Sequence, residues 1–221
     1  MDSKEHDLKV QTYFDKASTV FDTFYDRKRT AFMRWVDRKF RSDVFARYNM
    51  TFETIEPLKD KTIFDVGCGS GPYVVEAARR GCKLAIGLDM AAGMLDLARR
   101  RAAAAGVADR CKFILGTFPQ DSPEMIFDHA IVMGVMDYIA EPLEFLSALA
   151  QKVKLSAVIS CPSIHWLRTP LRKARYRLKR CPVYFYEPSQ IENLSTAAGF
   201  SRANIRKIPG AGMDYFVTMF K

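Results

Sequence analysis

The stretch FDVGCGSGPYVVEAARRG, residues 64–81, decides the fold of this chain. An apolar run at 62–66 precedes three closely spaced glycines, and a helical pattern at 72–80 follows them. The spacing predicts a strand, a tight turn and a helix, with Pro72 in the first helical turn, where its missing N–H costs nothing. The glycines are Gly67, Gly69 and Gly71. Glycines here allow a ligand to approach the backbone without a Cβ in the way.

Beyond residue 60 the chain alternates strand and helix patterns. The predicted strands are 62–66, 84–88, 112–115, 130–133, 157–161, 205–208 and 215–220, and the predicted helices are 72–80, 91–105, 142–153 and 188–198. Such alternation predicts an α/β fold with a doubly wound, mostly parallel seven-stranded sheet. The last two strands have no helix between them, which predicts a hairpin and an antiparallel edge strand. Residues 1–55 have only helical patterns, so we predict an N-terminal helical cap on a 56–221 body, within one domain.

The positive charge of the chain is concentrated in one interval. The formal net charge is +9, and no Asp or Glu lies between Glu144 and Glu187, where nine Lys and Arg occur. These nine account for the entire excess, so the rest of the chain is neutral overall. A segment without balancing acids predicts an anionic partner, either a small acidic molecule, a lipid surface or a nucleic acid.

Composition excludes several classes of protein. The charged N-terminus has no secretory h-region, and no stretch approaches the ~18 apolar residues of a membrane span. Five scattered cysteines without a CxxC pair indicate reduced thiols in a cytoplasmic protein. With only three histidines and no ligand spacing, no metal site is expected.

The second predicted strand, in LAIGLDM, ends at Asp89. A carboxylate at that edge of the sheet can accept hydrogen bonds from both hydroxyls of a ribose. The turn has Pro72 where a dinucleotide fingerprint requires its third glycine, and it lacks the Gly-Lys pair of a phosphate loop. The two motifs together predict a ligand that contains a nucleoside, in a turn poorly suited to a pyrophosphate.

The motifs DVGCGSG and GLDMAAGMLDLARRRA resemble those of the class I S-adenosylmethionine-dependent methyltransferases. The resemblance covers roughly residues 60–221 and implies a Rossmann-like fold, S-adenosylmethionine as cofactor, and methyl transfer. It implies that the glycine turn takes the amino-acid end of the cofactor and that Asp89 takes the ribose. The family often has an acid after the third strand, where this chain has Thr117. The cofactor-binding residues implied are Tyr13, Asp65, Gly67, Cys68, Gly69, Gly71, Asp89, Met90, Thr117, Phe118, Met133 and Gly134.

The resemblance also implies where the methyl acceptor enters. His165, Asp137 and Tyr138 are the candidates for removing a proton from the nucleophile. The insertion 162–187 is predicted to be a basic substrate lid. Its substrate-binding candidates are Arg172, Arg175, Tyr184 and Tyr186. Because the sulfonium already activates the methyl group, we expect neither a metal ion nor a covalent intermediate.

The acceptor stays open at this level. We expect O- or N-methylation of a small, anionic or lipid-linked molecule by a cytoplasmic protein, with peripheral contact at the inner membrane face as one possibility. A nucleic-acid methyltransferase and a cofactor-binding module without catalysis are the alternatives. Two features of the sequence limit the choice. Cys161, in SCPS, is expected to be a small buried residue, and the MGVM turn lacks the motifs used for adenine N-methylation and for cytosine C5-methylation.

Overall fold

The computed structural model describes residues 42–164, 183–209 and 214–221. The helices of these ranges are α1 (Ser42–Ile55), α2 (Pro72–Arg79), α3 (Ala92–Ala104), α4 (Pro142–Gln151) and α5 (Pro188–Ala197), with short 3₁₀ turns at Ala108–Arg110 and Met136–Tyr138. The strands are β1 (Thr62–Val66), β2 (Leu84–Asp89), β3 (Cys111–Leu115), β4 (Phe127–Val132), β5 (Val153–Cys161), β6 (Arg202–Lys207) and β7 (Tyr215–Phe220).

The seven strands form one sheet in the order β3-β2-β1-β4-β5-β7-β6. The first five are parallel, and β7 pairs antiparallel with both β5 and β6. The predicted fold class is therefore confirmed, including the hairpin at the sheet edge. The chain winds outward from β1 in one direction through β2 and β3, and then in the other through β4 and β5. This reversal places a ligand crevice beyond the carboxyl ends of β1 and β4.

The sheet is buried on both faces, which explains why its central strands are continuous apolar runs. Phe64 and Leu149 belong to the core beneath α4 and α5. Ile63 and Val74 belong to the core on the opposite face, beneath α1, α2 and α3. Successive residues of β1 thus serve different cores, as the two-residue period of a strand requires.

Three strands, β4, β5 and β6, begin at least three residues earlier than their apolar runs predict, and β6 begins at Arg202 rather than 205. Strand β4 begins at Phe127 rather than 130, because its polar residues find partners: the Asp128 carboxylate accepts hydrogen bonds from Thr62 N and Oγ1, at 2.8 and 3.0 Å. It ends at Val132, so Met133 lies just outside it. Strand β5 begins at Val153 rather than 157, and α4 ends two residues before it, at Gln151.

The N-terminal part of the chain is represented by α1, which falls inside the predicted cap. Residues 1–41 lie outside the described residues, and the division into 1–55 and 56–221 stays a prediction. Phe52 and Ile55 of α1 are buried against the sheet. In the portions of the chain that the structure describes, no helix is both long enough and apolar enough to cross a membrane.

Candidate active site

The glycine turn is closed onto the end of β2. The backbone N–H groups of Gly67 and Cys68 both donate to the Leu88 carbonyl, at 2.8 and 3.0 Å, and Gly69 N donates to the Asp89 carboxylate at 2.7 Å. Three successive donors of the turn are thus used within the protein. A pyrophosphate would need such groups, and so the turn suits a ligand that approaches without phosphate.

The glycines of this turn serve two different purposes. Gly67 has φ +71°, and a Cβ on it would lie 2.4 Å from Cγ2 of Val135, so its lack of a side chain is a packing requirement. Gly69 has φ +52°, and a Cβ there would meet no atom within 4 Å. Only Gly69 therefore borders open space, where a ligand can approach the backbone.

Asp89 ends β2 with its carboxylate fixed from two sides. Oδ2 accepts from Gly69 N, and Oδ1 accepts from Ala91 N at 2.9 Å. Each carboxylate oxygen can accept more than one hydrogen bond, so this orientation leaves capacity for a ribose diol. The arrangement fits the nucleoside part of S-adenosylmethionine, because two hydroxyl donors match two held acceptor oxygens.

Asp65 is the buried acid of the site. Its side chain is 1% exposed, and its Oδ2 has no hydrogen-bond partner among the described residues. Burial raises the pKa of this carboxyl well above its usual range, and the nearby Asp89 raises it further. An unsatisfied acceptor at the base of the glycine turn fits a cationic group of a ligand.

The turn after β4 lies beside the glycine turn. Gly134, with φ +76°, donates its N–H to Ser160 Oγ on β5 at 2.7 Å, and Met133 is buried beneath it. The following 3₁₀ turn contains Asp137 and Tyr138. Asp137 is 8% exposed, whereas Tyr138 is half-buried. The structure thus brings both predicted proton acceptors to the carboxyl edge of the sheet.

The C-terminal end of the predicted lid, residues 183–187, is hydrogen-bonded to the carboxyl edge of the sheet. Tyr184 N donates to the Asp137 carbonyl, and Tyr186 N donates to the Pro162 carbonyl, each at 2.8 Å. The Tyr186 hydroxyl also donates to the Met136 carbonyl at 3.3 Å. A cavity of about 390 Å³ lies between this segment, the start of α4 and the exposed side of α5. Tyr184 and Tyr186 are therefore neighbours of Asp137, and their substrate-binding role stays a prediction.

The turn after β3 contains Thr117 and Phe118, two of the predicted cofactor-binding residues. Thr117 N donates to the Asp121 carboxylate at 2.8 Å, so a carboxylate from four residues later lies beside this position. Phe118 packs between Phe64 and Phe145, with ring centroids 6.0 and 5.0 Å away. Met90 follows Asp89 directly and is half-buried. Roles for these three residues in cofactor binding stay predictions.

Other potentially reactive side chains in the described regions are buried, and burial shifts their pKa values away from those useful in catalysis. Burial raises the pKa of the Cys68 and Cys161 thiols, which disfavours a thiolate nucleophile. Burial lowers the pKa of His129 to about 4, and its Nδ1 lies 2.8 Å from Ser156 Oγ. No group of three metal-ligating side chains is found within these regions.

One residue at the site was missed by the sequence analysis. Arg47 of α1 reaches the turn after β4, where its Nη1 lies 3.6 Å from the position that a Cβ on Gly134 would take. Its Nε is buried without a hydrogen-bond partner in the described part of the chain. The run FARYNM carries no motif, and one arginine in a chain with 34 Lys and Arg gives no local signal.

Several predicted site residues lie outside the described residues. They are Tyr13, His165, Arg172 and Arg175. The sites proposed for these four residues stay predictions, as does the lid assignment of the interval that contains three of them.

The sheet order, the glycine turn at β1 and the acid at the end of β2 together define the class I methyltransferase fold. Residues 63–156 match the family model described as a methyltransferase domain. Over these residues the chain is similar to methyltransferases, and solved structures of the same fold hold S-adenosylmethionine or S-adenosylhomocysteine, which supports S-adenosylmethionine as the cofactor.

Known relatives differ in their acceptors. The chain is 29% identical over 173 residues to a ubiquinone biosynthesis O-methyltransferase of Neisseria meningitidis, covering 72% of this chain and 70% of that one. It is 34% identical to a tRNA U34 carboxymethyltransferase of Actinobacillus pleuropneumoniae, but over 52% of this chain and 36% of the relative. The fold also resembles magnesium protoporphyrin IX methyltransferase of Synechocystis with bound S-adenosylhomocysteine, with TM-score 0.74 and 20% identity, covering 96% of this chain and 98% of that one.

Proposed function

We propose that this chain transfers a methyl group to an oxygen or nitrogen of a small acceptor that is anionic or linked to a lipid. The observation that carries the proposal is the charge of the interval between Glu144 and Glu187, with nine cations and no anion. An anionic acceptor gains from such a field both in affinity and in its rate of association.

The described residues on either side of the basic stretch 168–180 support a place for that stretch beside the acceptor. Seven of the nine cations fall within residues 168–180, between Ser163 and Tyr184. Ser163 forms a bridge with Tyr186, and Tyr184 is hydrogen-bonded to Asp137. The basic stretch therefore leaves and rejoins the fold beside the turn after β4, next to the candidate proton acceptors.

The chemistry demanded of the protein is modest. The bound cofactor supplies a methyl group that its sulfonium already makes electrophilic. The protein then has to align the acceptor atom with that methyl group and take up its proton. Asp137 and Tyr138 support this role by position, and we propose His165 as the third candidate. The ubiquinone biosynthesis O-methyltransferase and the magnesium protoporphyrin IX methyltransferase that resemble this chain support a small-molecule acceptor.

The proposal is tested by combining turnover with binding. Formation of S-adenosylhomocysteine is measured with acidic metabolites, anionic liposomes carrying extracted lipid, and RNA as acceptors. The test variant replaces Arg172, Lys173, Arg175 and Arg177 by Ala. A control variant replaces four exposed lysines at the opposite edge of the sheet, Lys59, Lys83, Lys112 and Lys221, by Ala. Both variants lose four positive charges.

We expect turnover with an acidic metabolite or a lipid-linked acceptor, lost in the test variant and kept in the control. Methylation of RNA, with log affinity falling linearly as log salt rises, would overturn the small-molecule proposal in favour of a nucleic-acid substrate. Equal activity of the two variants would show that the basic stretch does not contact the acceptor. Loss of turnover on chelation, with recovery on adding Mg²⁺, would contradict the metal-free mechanism.

A further inference from the structure

The turn after β4, residues 133–138, carries two of the candidate proton acceptors, Asp137 and Tyr138. Strand β5 holds the beginning of this turn, because Ser160 Oγ accepts the backbone N–H of Gly134 at 2.7 Å. Ser160 is buried, so its hydroxyl acts on the turn and not on a ligand in solvent. The positions of both proton acceptors are therefore set in part by groups outside the turn.

Tyr186 holds the end of the same turn. Its hydroxyl donates to the Met136 carbonyl at 3.3 Å, and its backbone N–H donates to the Pro162 carbonyl at 2.8 Å. Tyr186 also forms a bridge with Ser163, just after β5. Only 5% of Tyr186 is exposed, so little of the residue is accessible to an acceptor. Met136 directly precedes Asp137, so a shift of the Met136 carbonyl also moves the Asp137 backbone.

The Tyr186 hydroxyl is suited to donate a hydrogen bond and unsuited to take up a proton. Burial raises the pKa of this hydroxyl, and the nearby Cys161 and Asp137 raise it further. The hydroxyl therefore keeps its proton across the neutral pH range and remains a donor to the turn. Its contribution to catalysis has to come through the residues that it holds.

We propose that Tyr186 is a positioning residue for methyl transfer, which places Asp137 and Tyr138 through its hydrogen bond to the Met136 carbonyl. The inference rests on the proposed function, in which Asp137 and Tyr138 are candidates for taking up the proton of the acceptor. It gives the Tyr186 hydroxyl a role different from the substrate contact predicted from the sequence. Tyr186 is also among the residues that line the cavity of about 390 Å³, so it connects a cavity wall to the proton acceptors.

Steady-state kinetics separate a positioning residue from a substrate contact. Loss of positioning lowers kcat, whereas loss of a contact that only binds the acceptor raises KM. Release of S-adenosylhomocysteine is measured with whichever acidic metabolite, lipid-linked acceptor or RNA gives turnover. We expect Tyr186→Phe, which keeps the ring in the core, to lower kcat ~5–50-fold and to change the acceptor KM less than ~2-fold. Its calorimetric affinity for S-adenosylhomocysteine should equal that of the wild type.

Tyr215→Phe is the matched control for this experiment. Tyr215 of β7 packs against the same core as Tyr186 and pairs with Cys161 in the sheet. Its loss of a hydroxyl should change neither kcat nor KM. A raised KM with unchanged kcat in Tyr186→Phe would make that residue a substrate contact and overturn the proposal. Because RNA can serve as the acceptor in this measurement, the small-molecule proposal can fail while the positioning role is still decided.

Hydrogen exchange tests the same contact without any acceptor. The amides of Gly134 and Tyr138 report on the turn, because they donate to Ser160 Oγ and to the Val135 carbonyl. In Tyr186→Phe both amides should exchange ~2–10-fold faster, while the amides of β1 exchange as in the wild type. The control variant should leave all of these rates unchanged. Wild-type exchange at the turn in Tyr186→Phe overturns the proposal, whatever the acceptor.

Discussion

At the scale of single residues, Asp89 connects the fold of the site to its ligand. Its carboxylate accepts hydrogen bonds from the backbone N–H groups of Gly69 and Ala91, at 2.7 and 2.9 Å. These bonds fix the orientation of the glycine turn and of the carboxylate itself. Because one acid both shapes the turn and faces the ligand, an acid at the end of β2 is a useful sequence signal for a nucleoside site. The same group that shapes the turn presents charged acceptors to hydroxyl donors, and such charge-assisted hydrogen bonds are the stronger ones.

His129 makes a residue-scale prediction about pH. Burial lowers its pKa from 6.5 to about 4. Between these two pH values the imidazole therefore stays neutral in the folded protein, whereas the same imidazole takes up a proton in the unfolded chain. The free energy of unfolding therefore falls as pH is lowered from about 6.5 to about 4, by up to about 3 kcal/mol. Chemical denaturation of the wild type and of His129→Asn at several pH values measures the difference. Identical pH slopes in the two proteins would contradict the prediction.

At the scale of elements, the glycine turn combines a packing requirement with a ligand surface. Gly67→Ala meets Val135 at 2.4 Å, in addition to the unfavourable positive φ. Gly69→Ala suffers only the φ penalty, about 1–2 kcal/mol, because its Cβ points into open space. Substitution by Ala at these two glycines should therefore have different effects, on stability by overpacking at Gly67 and on ligand binding at Gly69.

We expect Gly69→Ala to fold, with a melting temperature lowered by roughly 2–8 °C, and to lose most of its affinity for S-adenosylhomocysteine. Gly67→Ala should lose a further 1–3 kcal/mol or so of stability through overpacking against Val135. Thermal unfolding and calorimetric titration of both variants separate the two effects. Full cofactor affinity in Gly69→Ala would refute the view that this position borders the ligand.

The elements of the sheet were predictable to different degrees. Strands β1 and β7 match their predicted ranges, since each is a compact run of mostly apolar residues. The starts of β4 and β5 were not predictable, because Asp128, His129 and Lys154 interrupt the apolar pattern. Asp128 and His129 have hydrogen-bond partners on other strands, Thr62 and Ser156. Such pairings are set by tertiary structure and leave no periodic signal.

The candidate site shows the same division. Asp65 and Asp89 were found because a short motif places each at a strand end. Arg47 was not found, because its place beside Gly134 depends on how α1 crosses the sheet. Phe52 of α1 is buried against the sheet. Local sequence does not encode that crossing. The acceptor side depends on the pairing of Tyr184 with Asp137, which are far apart in the chain.

At the scale of the whole molecule, we propose separate functions for the fold and for the charge of the chain. The doubly wound sheet determines where the cofactor binds, at the reversal of strand order between β1 and β4. The interval between Glu144 and Glu187, to which the excess charge of +9 is confined, contains β5, and seven of its nine cations follow that strand. Cofactor binding should therefore depend little on salt, whereas capture of the acceptor should depend on it strongly.

The most direct test of the central claim is thermal unfolding with saturating S-adenosylhomocysteine, with NADH, and without ligand. At ~100 times its dissociation constant, the cofactor product should add about 2.7 kcal/mol of stability. For a domain of this size, that raises the melting temperature by roughly 5–10 °C. Asp89→Asn should reduce the shift, whereas Asp96→Asn, at an exposed acid of α3, should keep it. NADH should give no shift, and a shift with NADH that equals or exceeds the shift with S-adenosylhomocysteine would contradict the methyltransferase assignment.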